Sequence, residues 1–201
     1  MLVSLSLGTM RESHYDSIAK YLLKANPTGL EHLDMKGIWL KDSALSTFCS
    51  ALRRMTQLKH LSVPYLANDQ LVEVVSKKCA HLAFIDLSGT SDLSEEALLK
   101  LGALRSTLKC IHLGNYSEET FDSLTVAKLM LSLPKLESLG GYQKTGEAVH
   151  ILKNDLRKGQ PTKLKYLHDQ GTSFEIMASI QALCPGKNHC FGLALPAIAA
   201  V

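Results

Sequence analysis

The stretch Leu82-Ala83-Phe84-Ile85-Asp86-Leu87-Ser88-Gly89-Thr90 places apolar side chains at Leu82, Ile85 and Leu87, in the pattern L-x-x-L-x-L. The same pattern recurs along the chain. Its first positions are Leu2, Leu30, Leu58, Leu82, Leu108, Leu136 and Leu164, and the last two copies are weaker because Gly141 and Asp169 replace the third apolar residue. Successive first positions are 28, 28, 24, 26, 28 and 28 residues apart. A period this regular predicts that one structural unit is stacked along the whole chain.

The residues between successive copies predict helices. Apolar side chains follow the third copy at helical spacing, at Leu71, Val74 and Val75. The segment after the fourth copy opens with Ser94 and two acidic residues, which is typical of a helix start. After the fifth copy the apolar positions are Phe121, Leu124, Leu129 and Leu133. Each unit therefore has a short strand and a helix, and neither can bury its apolar face without a neighbouring unit.

A strand–helix period of this length is typical of leucine-rich repeats. We predict an α/β solenoid of about seven repeats, numbered from the pattern's first positions. Parallel strands would line the concave face of a curved horseshoe, and helices would cover the convex face, because helices are wider than strands. The repeat domain is expected to span residues 1–183. Residues 184–201, which fit no clean repeat, would form a degenerate repeat or a C-terminal tail.

Composition narrows the class of protein. Apolar residues make up 46% of the chain, enough for a continuous core, and the net charge is only +3. Because the basic residues are scattered, we expect no nucleic-acid partner. No apolar window is long enough to span a bilayer, so we expect no membrane partner. The five cysteines are irregularly spaced and odd in number, which favours a reducing compartment, cytoplasmic or nuclear.

The concave face carries the candidate binding residues. Side chains alternate along a strand, so the third, fifth and seventh positions of each unit should point away from the core. The candidates for partner binding are His32, Asp34, His60, Phe84, Asp86, Cys110, His112, Tyr142, Tyr166 and His168. Aromatic side chains on an open face suit protein contact, since they supply area at little entropic cost. The alternative is that they only stack on neighbouring strands and stabilise the sheet.

The same face contains residue types that could serve chemistry. His32, His60 and a nearby carboxylate such as Asp34 are potential metal ligands or acid–base groups. Cys110 and His112 are residue types of a nucleophile and a base, but two residues apart on one strand they are too far from each other for an ideal contact. An open sheet is wet, however, whereas small-molecule chemistry favours concave pockets. We therefore predict no catalytic residue, no cofactor and no metal, and a protein that is not an enzyme.

The segment from Cys79 to Thr90 resembles the cysteine-containing leucine-rich repeats of F-box proteins, in which a cysteine lies three residues before the strand leucine, as Cys79 precedes Leu82. The resemblance extends from Leu2 to about Leu183. It implies the substrate-recognition part of an SCF-type ubiquitin ligase. A ligase adaptor would then bind through an F-box-like segment that is absent from this chain. The alternative is a free-standing scaffold or inhibitor with no link to ubiquitination.

Overall fold

The computed structural model describes residues 2–8, 14–38, 40, 42–90, 92–114, 121–141, 147–148, 150–152 and 166–168. The strands are β1 (Ser4–Ser6), β2 (His32–Asp34), β3 (His60–Ser62), β4 (Phe84–Asp86), β5 (Cys110–His112), β6 (Ser138–Gly140) and β7 (Tyr166–His168). The α-helices are α1 (Tyr15–Ala25), α2 (Asp42–Leu52), α3 (Asp69–Lys78), α4 (Glu95–Leu99) and α5 (Ser123–Ser132). A 3₁₀ helix, Lys100–Leu104, continues α4.

The seven strands form one parallel sheet whose spatial order is the order of the chain, β1 to β7. Each strand pairs in register with the next, so that Leu61 of β3 is opposite Ile85 of β4, and Ile85 is opposite Ile111 of β5. Parallel neighbours need a crossover connection, and each of the α-helices named above lies in such a connection. The predicted α/β class with parallel strands is confirmed. The predicted tail, 184–201, lies outside the described residues.

The core lies between the sheet and the helices. The three pattern residues of the fourth unit are buried: Leu82 and Ile85 are 0% exposed and Leu87 is 2% exposed. The helices contribute buried side chains such as Val75 of α3 and Leu98 of α4. Full burial of one such aliphatic side chain is worth about 1.5–3 kcal/mol. The recurring pattern therefore supplies the main packing energy between successive units.

Polar side chains link the starts of consecutive helices. Ser94 is the N-cap of α4, as predicted, and its hydroxyl accepts a hydrogen bond from the Ala97 amide at 3.2 Å. The Ser94 hydroxyl in turn donates to the carboxylate of Asp69, the first residue of α3, at 2.8 Å. Glu95 repeats the arrangement by accepting from the amide of Asp122, the N-cap of α5, at 2.6 Å. These contacts satisfy helix-terminal groups and fix each helix against its neighbour.

A recurring turn follows the strands. The eighth position of three successive units has positive φ: 83° at Gly37, 66° at Tyr65 and 72° at Gly89. Tyr65 is the exception, because residues other than glycine rarely adopt a positive φ. Its ring lies against Gly89, where a Cβ atom would overlap the ring. The turn therefore requires glycine at position 89 both for its φ and for the space.

The β1 end of the sheet exposes apolar side chains. Leu2 is 49% exposed, Val3 44% and Tyr21 65%. A groove of about 270 Å³ between β1 and α1 is lined by Leu5, Leu7, His14, Ser17, Ile18, Tyr21 and Leu22. In the next unit the residues equivalent to Leu5 and Leu7 are 0% exposed, because a unit packs on either side of them.

Within the described part of the chain, no helix combines the length and apolar character needed to cross a membrane.

Candidate protein-binding face

We call the side of the sheet turned away from the helices the open face. It is defined by the first and third residues of β1 to β6, because the central residue of each strand points into the core. Its members are Ser4, Ser6, His32, Asp34, His60, Ser62, Phe84, Asp86, Cys110, His112, Ser138 and Gly140. Seven of the ten sequence-predicted binding residues are therefore together on one surface.

Three rings form a row across β2, β3 and β4. The rings of His60 and Phe84 are stacked, with centroids 4.1 Å apart and an interplanar angle of 2°. The His32 ring follows on the other side, with its centroid 5.9 Å from that of His60 and tilted by 36°. In-register parallel pairing puts these side chains opposite each other, His32 with His60 and His60 with Phe84. The row is therefore preorganised by the sheet, while His60 and Phe84 remain partly exposed and His32 exposed.

A carboxylate–imidazole pair lies beside the row. Asp86 Oδ1 is 3.2 Å from His112 Nδ1 on the next strand. Asp86 also accepts hydrogen bonds from the Ser62 hydroxyl at 3.3 Å and from the Ser88 amide at 2.9 Å. The carboxylate thus orients the imidazole, whose side chain is 46% exposed, whereas the carboxylate itself is 16% exposed. His112 is held in place with its outer part available for contact.

Two residues of the open face have pKa values that differ from the ordinary values of their side chains. Burial raises the pKa of Asp86, but hydrogen bonds from His112 and Ser88 outweigh it and hold the pKa at about 2. Asp86 is therefore a carboxylate at neutral pH. Burial lowers the pKa of His60, and the neighbouring His32 lowers it further, against the opposing effect of Asp34 and Asp86. The central ring of the row therefore favours its neutral form.

The described cysteines differ in how deeply they are buried. Cys110 is partly exposed on the open face. Cys79 is 0% exposed, its thiol donates weakly to the Met55 carbonyl at 3.9 Å, and burial raises its pKa to about 12. Burial also raises the pKa of Cys49 to about 11. Cys79 and Cys49 are thus packing residues rather than nucleophiles.

The side chains of three predicted binding residues are not described. Tyr142 lies outside the described residues. Tyr166 and His168 lie in β7, where they pair with Ser138 and Gly140, and only their backbone is described. Their part in binding stays a prediction.

Sequence reasoning missed the residues that support His112. Ser62 and Ser88 hold the Asp86 carboxylate, and neither differs in sequence from an ordinary surface serine. Gly114 and Gly141 lie beside the His112 ring, so that a Cβ at either position would come within 3.2 Å of it. Glycine in both neighbouring loops was the available signal, since glycine often marks a close approach.

The described residues bring no three histidine, cysteine or acidic side chains together as a metal-binding group. The Ser62 hydroxyl contacts the Asp86 carboxylate, and the carboxylate contacts His112. A serine nucleophile would instead need its hydroxyl against the imidazole. The geometry at Asp86 is thus one of support for the imidazole, and the prediction that the protein is not an enzyme stays a prediction.

No family model and no curated protein matches this chain. Solved structures do resemble it, among them the crystal structure of the leucine-rich repeat-containing protein LegL7 from Legionella pneumophila. The two chains are 16% identical, the match covers 90% of this chain and 71% of that one, and the TM-score is 0.43.

Proposed function

We propose that this chain is a leucine-rich repeat solenoid of about seven repeats over residues 1–183, followed by a degenerate repeat or tail at 184–201. We further propose that its open face is concave and binds a protein partner. Support for the repeats comes from in-order parallel strands with the L-x-x-L-x-L pattern, and from the recurring turn at Gly37, Tyr65 and Gly89. Packing wide helices behind narrow strands would curve the sheet.

The observation that carries the proposal is the contiguous row His32, His60 and Phe84 beside the Asp86–His112 pair. Interfaces are enriched in aromatic anchors, because rings bury a large area and lose little freedom on binding. Stacking and hydrogen bonding have already ordered these five side chains. A partner that covers them would therefore gain contact area at a reduced entropic cost.

Stacking for stability alone is the competing interpretation, since cross-strand pairs are worth about 0.2–1 kcal/mol each. This interpretation accounts for the stacking of the His60 ring on the Phe84 ring. It accounts less well for His112, because Asp86, itself held by Ser62 and Ser88, presents this imidazole with nearly half of its side chain exposed. Support of that kind favours a surface that is kept ordered for contact.

A ubiquitin-ligase role is the finer proposal, and the alternative is a scaffold or inhibitor without that link. Cys79 favours the first, because it occupies the place that the cysteine has in repeats of F-box proteins. On this proposal the protein works in the cytoplasm or nucleus. If a longer form of the chain fails to copurify with an SCF adaptor while still binding its partner, the scaffold alternative is favoured.

The binding proposal is tested with a face variant and a helix-side variant. The face variant combines Phe84→Ala with His112→Gln, and the helix-side variant combines Glu96→Ala with Lys128→Ala, both exposed in α4 and α5. A partner is captured from extract by the parent chain, identified by mass spectrometry and purified. Its affinity for each chain is then measured by calorimetry.

We expect the face variant to lose about thirtyfold in affinity, equivalent to about 2 kcal/mol. The helix-side variant should bind within about threefold of the parent, since single surface charges contribute little. Thermal unfolding of each variant shows whether it is folded. A partner that tolerates the face variant but is lost with the helix-side variant would refute the proposal.

A further inference from the structure

The open face has a distinctive charge composition. Among its described residues, the carboxylates of Asp34 and Asp86 are the acidic groups, and no lysine or arginine belongs to it. Three imidazoles, those of His32, His60 and His112, lie among these carboxylates. The face therefore carries a charge of −2 with the imidazoles neutral and +1 with all three protonated.

Building on the proposed function, we infer that the partner segment bound by the open face is basic, with arginine or lysine side chains, and that acidification releases it. Two features of the face favour such a partner at neutral pH. The carboxylates attract a cation, and an aromatic ring attracts an arginine or lysine head over its face. An acidic segment would meet the two carboxylates of the strands, and its fixed positive counterpart would be Lys36, in the turn after β2.

Asp86 keeps its charge throughout the range in which histidines titrate, because its hydrogen bonds hold its pKa at about 2. Asp34 is oriented by the Lys36 amide, which donates to its Oδ1 at 2.9 Å. The Lys36 side chain belongs to the turn after β2 and is exposed there. The negative charges of the face are thus fixed in position by hydrogen bonds.

The release of the basic segment on acidification follows from the groups that surround His60. Its ring faces His32 and Asp34 of β2 on one side, and Phe84 and Asp86 of β4 on the other. Just before these strands, Lys59 and Glu31 form an ion pair at 2.8 Å and so offset each other. Histidine is the side chain that ordinarily gains charge between pH 8 and pH 5, and the lowered pKa of His60 moves its protonation toward the acidic end of that range. Each proton taken up adds a positive charge beside the site of a bound cation, so a basic segment is repelled.

The test is selection of a phage-displayed random dodecapeptide library on the immobilised chain at pH 7.5, followed by elution at pH 5.5. Clones that also bind the Phe84→Ala, His112→Gln variant are removed beforehand. We expect the eluted clones to be enriched in arginine and lysine. A leading peptide should lose about tenfold in affinity between the two pH values, equivalent to about 1.4 kcal/mol.

Matched variants assign the effect to the imidazoles. The combined change His32→Gln and His60→Gln should reduce the pH dependence to about threefold or less, whereas His81→Gln, in the exposed turn before β4, should leave it unchanged. Asp34→Asn should weaken the basic peptide at both pH values.

The outcomes separate the two proposals. Acidic or uncharged clones, or basic clones that stay bound at pH 5.5, overturn the inference while leaving a binding face in place. No enrichment over the subtracted variant overturns both the inference and the proposed function.

Discussion

Phe84 and Ile85 are adjacent in β4 and test the assignment of its two faces. Ile85 is 0% exposed and lies in register between Leu61 and Ile111, so Ile85→Ala leaves a cavity in the core. Such a truncation costs about 2–5 kcal/mol. Phe84 is partly exposed and its described ring contact is with His60, so Phe84→Ala should cost only the stacking pair, about 0.2–1 kcal/mol.

Urea unfolding followed by circular dichroism measures both variants against the parent. With a slope of about 2 kcal/mol per molar urea, Ile85→Ala should lower the midpoint by about 1–2.5 M, and Phe84→Ala by about 0.1–0.5 M. Equal losses, or a larger loss for Phe84→Ala, would refute the reasoning. A one-residue shift of register exchanges the two faces of a strand, and such a result would require that shift.

Three further predictions follow from the same contacts. Because the folded-state pKa of His60 is below its ordinary 6.5, the folded chain binds fewer protons, so stability should fall as the pH drops below about 6.5. Urea midpoints at several pH values should show a smaller fall in His60→Gln and an unchanged one in His81→Gln. Iodoacetamide labelling with peptide mapping should modify Cys110 before the buried cysteines at positions 49 and 79, and equal rates would contradict their burial. Gly89→Ala should lower the free energy of unfolding by about 1–3 kcal/mol, because alanine is strained at positive φ and its Cβ overlaps the Tyr65 ring. Adding Tyr65→Ala should restore only the part of the stability that the overlap removes.

The periodic part of the fold was predictable, because each strand repeats one simple requirement. Apolar residues at the first, fourth and sixth positions of a unit have to enter the core, and the alternation of a strand then fixes which residues are outside. This reasoning placed Ile85 in the core and His60 and Phe84 on the opposite side. Ser94 was likewise identifiable as a helix cap from the two acidic residues after it.

The details of side-chain support were not predictable. Leu124 was expected on the buried stripe of α5, but it is 43% exposed, while Val126 and Leu129 are buried. The helix begins at Ser123 and turns Val126, Ala127, Leu129 and Met130 to the core, so that Leu124 lies on the opposite side of the helix. The hydrogen bond between Ser62 and Asp86 depends on which strands are neighbours and on side-chain rotamers. That hydrogen bond is not recorded in a local sequence pattern.

Histidine-ring NMR tests the central claim, that the open face binds the partner, most directly. Six histidines whose side chains are described fall into two sets: His32, His60 and His112 lie on the open face, and His14, His81 and His150 lie in helices or turns. Titration of the captured partner into a chain with labelled histidines reports on both sets at once. The account predicts shifts in the ring Cε1–H signals of His32, His60 and His112 with little change in the other set. Shifts confined to His14, His81 and His150 would contradict it.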